Sequence, residues 1–147
     1  MGKKDILHLN RLMKEKKQLG FIVFFCFLIS FVSIRLFTAY IAIKYNLFFY
    51  IGEYHIHHFY MGFGLIILAT WMAIFSFRDK FRYLAAAIYG IGLGIFVDEI
   101  GLLMSEMTEY WAQESYTAFV ILCLTILTLM FLDRAWIKSE LKKIKIG

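Results

Sequence analysis

The chain has 147 residues, of which 61% are hydrophobic and 18% charged; ordinary soluble domains run at roughly 45–50% and 25%. A soluble fold this short leaves much of its surface in water and cannot hide so much apolar side chain, which argues against a water-soluble protein and for lipid as the solvent. The net charge of +5 does not point to nucleic acid, because the basic residues flank apolar runs, where they set orientation and meet anionic lipid.

Residues 1–19 are polar and basic, with Lys3, Lys4, Arg11, Lys14, Lys16 and Lys17. The spacing of Ile6, Leu7, Leu9, Leu12 and Met13 predicts a short amphipathic helix lying on the cytoplasmic membrane surface. His8 reads as a surface residue of that segment. The first span is predicted over 20–43, long enough to cross roughly 30 Å of hydrocarbon with some tilt. It is too long for a signal-peptide core and lacks a small-residue cleavage site, so it is expected to remain as an anchor. It carries one charge, Arg35.

Three further spans are predicted over 57–77, 83–104 and 117–136, followed by a basic tail over 137–147. Unpaired backbone groups are costly in lipid and four spans cannot close a barrel, so the predicted fold is all-α: a polytopic bundle of four transmembrane helices. Cys26 and Cys123 sit inside apolar runs and read as small hydrophobes, not as a disulfide. The chain contains no proline, so no proline kink is expected.

Fourteen of the sixteen Lys and Arg residues fall in the first segment, in the connection Arg78–Arg82, and in the tail together with Arg134 just before it. The positive-inside rule puts these, and both termini, in the cytoplasm of a multi-pass cell-membrane protein. The opposite side carries only Lys44 among exposed cations. It also carries Glu53, Glu106, Glu109 and Glu114, and a belt of Tyr50, Tyr54, Tyr60, Tyr110, Trp111 and Tyr116.

The candidate chemistry lies near that outer boundary. His55, His57 and His58 stand at the mouth of the second span. Asp98 and Glu99 lie in the third, roughly 22 Å from its cytoplasmic start at 1.5 Å per residue, and Arg35 is at similar depth in the first. Ionisable groups inside a membrane are costly and usually face a bundle interior or a wet cavity. Imidazole and carboxylate together are ligands for zinc, iron or manganese, so a divalent-metal site built from His55, His57, His58, Asp98 and Glu99 is the leading expectation, with Glu53 and Glu106 in reserve at the rim. If the second span is helical from its mouth, His55 and His58 share a face; if the segment is extended, His55 and His57 do. Such a site would support metal-assisted chemistry on a lipid or other membrane-borne substrate; no catalytic residue is singled out. Two alternatives stand beside it. One is a proton or metal-ion transporter or channel. The other is a non-catalytic assembly or interaction subunit, in which an acid of the third span pairs with Arg35 in a buried ion-pair network. The expected partners are the bilayer and a second copy of the chain.

Ala86, Gly90, Gly94 and Asp98 recur every four residues and share one helix face, where small residues allow close approach. That face is expected to press on another span, with Gly62 and Gly64 of the second as its receivers.

The segments HIHHFYMG and GLGIFVDEIGLLMS, followed by YWAQESYTAFVIL, resemble small uncharacterised four-span integral membrane proteins of bacteria and archaea. The resemblance rests on His55, His57, His58, Asp98, Glu99 and Gly101 and implies that these residues form one set. The pattern is unlike the HxxHH boxes of membrane hydroxylases and desaturases, which face the cytoplasm.

Overall fold

The computed structural model describes residues 3–45, 50–51, 54–55, 57–75, 78–104 and 113–146. Helix α1 (Lys3–Phe37) passes into a π-helical turn (Thr38–Ala42) and a short α2 (Ile43–Tyr45). A two-residue antiparallel pairing follows, β1 (Tyr50–Ile51) with β2 (Tyr54–His55), in which Tyr50 faces His55. The remainder is α3 (Phe59–Phe75), α4 (Asp79–Asp98), α5 (Ile100–Met104) and α6 (Gln113–Ile146).

The fold is all-helical apart from that small pairing. Three stretches are long and apolar enough to cross a membrane: Asn10–Ile41, Lys80–Asp98 and Gln113–Leu132. The fourth apolar helix, α3, is shorter at 17 residues and carries no charge. The outward surface matches a lipid environment. Phe21, Phe25, Ile29 and Val32 of α1, Met61, Phe63 and Trp71 of α3, and Ile121, Leu124 and Phe131 of α6 are all at least half exposed. In water such a surface would drive association; in hydrocarbon it has no such cost.

Two boundaries differ from the expected ones. The basic N-terminal segment and the first span form one helix with no break at Gly20, because the intervening residues (Met13 to Leu19) are good helix formers and nothing there stops propagation. The last helix likewise runs through the basic residues to Ile146, so 137–146 is a helical extension.

Helix α4 is the centre of the bundle, with α1 on one side and α3 on the other. Its glycines explain how both approach so closely. A Cβ at Gly94 would stand 2.7 Å from the Phe31 backbone nitrogen and 2.8 Å from the Phe27 carbonyl, both in α1. A Cβ at Gly92 would stand 2.8 Å from the Gly62 carbonyl in α3, and one at Gly62 would stand 2.6 Å from the Phe96 nitrogen. Gly90 packs likewise on the α1 backbone at Val23. The Ala86–Gly90–Gly94–Asp98 face therefore meets α1, not α3, which carries Gly62 and Gly64. The helix rotates by about 100° per residue, so Gly92, two positions on from Gly90, presents the other side to α3. Gly64 has nothing within 4 Å.

Phe27, Phe31 and Val97 form the buried core toward one end, and α6 packs on it through Ala118, Phe119 and Leu122. The Phe31 and Phe119 rings stack with centroids 4.1 Å apart. Within α3, the Thr70 hydroxyl donates to the Ile66 carbonyl at 2.8 Å, satisfying itself along its own helix.

Candidate functional site: a buried charge network at one end of the bundle

Helix α4 stops at Asp98, and Glu99 (φ −99°, ψ 6°) leaves helical geometry before α5 resumes at Ile100. The interruption matters because it frees backbone groups that a continuous helix would use internally. The Asp98 carbonyl is taken from two sides. Arg35 donates to it through Nη2–H at 2.7 Å, and the Ser115 hydroxyl donates at 2.9 Å. Ser115 Oγ in turn accepts the Gly101 N–H at 2.9 Å, so one hydroxyl bridges both sides of the break.

The carboxylates divide their partners. Asp98 Oδ1 lies 2.6 Å from Arg35 Nε, and Asp98 Oδ2 lies 2.9 Å from His58 Nε2. Glu99 Oε1 lies 3.2 Å from His57 Nδ1 and 3.3 Å from His58 Nδ1, while Glu99 Oε2 accepts the Phe59 N–H at 2.9 Å. His58 thus touches both acids, one through each ring nitrogen. The Arg35 guanidinium also stands 5.0 Å from the Tyr116 ring centroid and 5.6 Å from that of Phe31, within cation–π reach.

The two acids and the arginine are buried, while the imidazoles of His57 and His58 keep 18% and 22% of their side-chain surface exposed. Asp98 is 0% exposed, Glu99 4% and Arg35 7%. Buried charge is tolerated where it is paired and hydrogen-bonded, and the partners come from every neighbouring element. Arg35 comes from α1, His57 and His58 from the approach to α3, and Ser115 and Tyr116 from the start of α6. The approach itself is not helical at His55. Helix α3 starts at Phe59, where the carbonyls of His57 and His58 accept the N–H groups of Tyr60 (3.3 Å) and Gly62 (3.1 Å). That non-helical entry lets two consecutive imidazoles turn toward the same pair of acids.

Of the residues singled out in the sequence, Arg35, His57, His58, Asp98 and Glu99 are brought together. His55 lies in β2 on the main chain, and its side chain is outside the described residues, as are Glu53 and Glu106. Among the described residues no three His, Cys, Asp or Glu side chains are grouped so as to hold a metal ion. The ring nitrogens of His58 instead face the carboxylates, and the guanidinium occupies the flank of Asp98 that a cation would approach.

Sequence reasoning missed Ser115, which is 0% exposed and sits one helical turn from the apolar run of the last span. In the sequence it stands in a polar stretch, between Gln113-Glu114 and Tyr116-Thr117. The only signal was that a small hydroxyl residue stood at the head of a helix, next to an aromatic. Tyr116, expected in an interfacial belt, also flanks the Arg35 guanidinium.

The charge count sets the chemistry. Two carboxylates face one guanidinium, so one negative charge remains if both imidazoles are neutral. A proton on an imidazole, or another cation, would balance it.

No family model, no curated protein and no solved structure matches the chain.

Proposed function

We propose that the chain is a four-span membrane protein in which Arg35, His57, His58, Asp98 and Glu99 act as a charge clamp near the outer membrane boundary. On this reading it works as a non-catalytic assembly or interaction subunit whose helices the clamp holds in one arrangement. A single observation carries the proposal: Asp98 is bonded at once to α1 through Arg35, to the entry of α3 through His58, and to α6 through Ser115. A fourth span is supported by the composition of α3. Its 17 apolar residues stand at the lower limit of spanning length, about 17–25 residues. The crowding of Lys and Arg at the opposite end supports cytoplasmic termini.

One observation favours a second reading, the divalent-metal site. His57 Nδ1 and His58 Nδ1 both converge on Glu99 Oε1, in a network that is short of one positive charge when both imidazoles are neutral. That site would need a further donor, for which His55 is the candidate, and metal-assisted chemistry on a membrane-borne substrate would follow from it. A transport pathway has less support, because the described core next to the network is apolar: Phe27, Phe31 and Val97.

Asp98→Asn separates the two readings. The clamp predicts a clear drop in thermal stability of the purified protein, with its metal content unchanged by elemental analysis. Unchanged stability together with loss of a stoichiometric metal would reject the clamp and establish the metal site.

A further inference from the structure

At the end of the bundle far from the acids, α1, α4 and α6 line a cavity of about 560 Å³. Its upper wall carries Lys14 and Lys17, and its lower wall is Phe21 and Ile22 of α1, Tyr83 of α4 and Met130 of α6. It adjoins a smaller polar cavity of about 270 Å³ that adds Arg11 and Glu15 and shares Lys14 and Tyr83. The two form one groove, basic at one end and apolar at the other.

The charge of this groove is not cancelled internally. Glu15, its one carboxylate, is engaged by Arg82 Nη1. Tyr83 donates its hydroxyl to Gln18 Oε1 at 3.0 Å, which ties α4 to α1 beside the opening. Among the described residues no carboxylate pairs with Lys14 or Lys17, and both are exposed. Along α1 the lining residues 14, 17, 21 and 22 lie on one stripe. From Lys14 to Ile22 the stripe changes from ammonium to hydrocarbon over roughly 12 Å, at 1.5 Å per residue. A membrane lipid changes from phosphate to acyl chain over a comparable depth, and Asn10–Ile41 is a stretch long and apolar enough to cross a membrane.

We propose that this groove is a binding site for one anionic phospholipid. Its phosphate is held by Lys14, Lys17 and Arg11, and the upper part of one chain lies against Phe21, Ile22 and Met130. The volume lies in the range of small-molecule sites, about 300–1,000 Å³, and the open side lets the rest of the lipid stay in the bilayer. The site shares no residue with the charge network and holds whichever reading of that network is correct.

The test is native mass spectrometry of the detergent-solubilised full chain titrated with phosphatidylglycerol or phosphatidylcholine. One phosphatidylglycerol should be retained in preference to phosphatidylcholine. Lys14→Gln with Lys17→Gln should weaken its retention about thirtyfold, since each Lys near a membrane surface contributes enough for about a fivefold effect. Arg78→Gln with Lys80→Gln removes the same charge outside the groove and should change retention less than about threefold. Equal losses in the two double variants, or equal retention of the two lipids, would overturn the site in favour of bulk charge. Displacement of phosphatidylglycerol by excess inorganic phosphate would also overturn it, because the pocket would then recognise the anion without the chain.

Discussion

Arg82 and Asp98 stand roughly 24 Å apart on the same helix, at 1.5 Å per residue, and meet their partners under opposite conditions. Asp98 is closed off from solvent, held by Arg35 and His58, with Ser115 on its carbonyl. Arg82 reaches Glu15 across the same helix pair, α1 and α4, but its side chain is 41% exposed. The residue types are similar and the energetics are not. Water reaches Arg82, and to a smaller extent the 17% exposed Glu15, whether or not they touch. Asp98 has no such alternative, so each neighbouring element must supply a partner, and the partners become fixed in turn. Charge at the buried end specifies geometry, while charge at the exposed end stays available to a ligand.

The largest effect should come from breaking the buried end one side at a time. Arg35→Met leaves Asp98 facing hydrocarbon-like surroundings with its main counter-charge gone. Removing one partner of a buried pair costs about 3–5 kcal/mol. The double change Arg35→Met with Asp98→Leu removes both charges and should recover most of that loss, because the penalty lies in the orphaned charge more than in the lost attraction. Unfolding of all variants in the same detergent gives the coupling. Strictly additive losses would mean that the 2.6 Å pair contributes nothing as a pair, and the contrast between the two ends would fall.

A middle effect should appear between the ends, where packing replaces charge. Gly94→Ala puts a methyl group 2.7 Å from the Phe31 backbone nitrogen, where nothing can rotate aside; overpacking of this kind costs about 1–3 kcal/mol. Gly64→Ala meets open space and should be neutral or stabilising by up to about 1 kcal/mol, through the lower chain entropy of alanine. Thermal unfolding of the two variants checks the difference. Similar shifts in both would show that α1 and α4 are not in backbone contact.

These residues also mark what the sequence could reveal. Apolar runs announce the helices because lipid imposes a length rule on any spanning segment. That Arg35 and Asp98 could meet was readable from the same runs, since rise per residue fixes how far along its helix each one stands. Rotation was not readable in the same way. The small-residue stripe announced a close contact but not its partner, because α1 and α3 both offer surfaces that a glycine face could fit, and the choice is made by tertiary packing. Ser115 stayed hidden because its task depends on the helix break at Glu99, and nothing local to SEMTEYWAQESY encodes that break. Three histidines in four residues suggested a metal, yet the ring contacts that decide between ligand and hydrogen-bond partner depend on how the chain enters α3.

The smallest effect on stability should come from Arg82→Gln, and it sharpens the comparison most. A partly exposed pair is worth about 0–1 kcal/mol, so unfolding should shift by no more than that. The same change should still alter binding. Glu15 lines the polar cavity with Lys14, and without Arg82 its carboxylate is free to swing toward that ammonium. Lys14 would then be offered to a lipid phosphate already partly neutralised. Retention of phosphatidylglycerol should therefore fall by about threefold to fivefold while stability holds, and Arg82→Gln with Glu15→Gln should restore it. A variant that lost stability and binding together would mean that Arg82 is a structural group like Arg35, and the distinction between fixed and available charge would not survive.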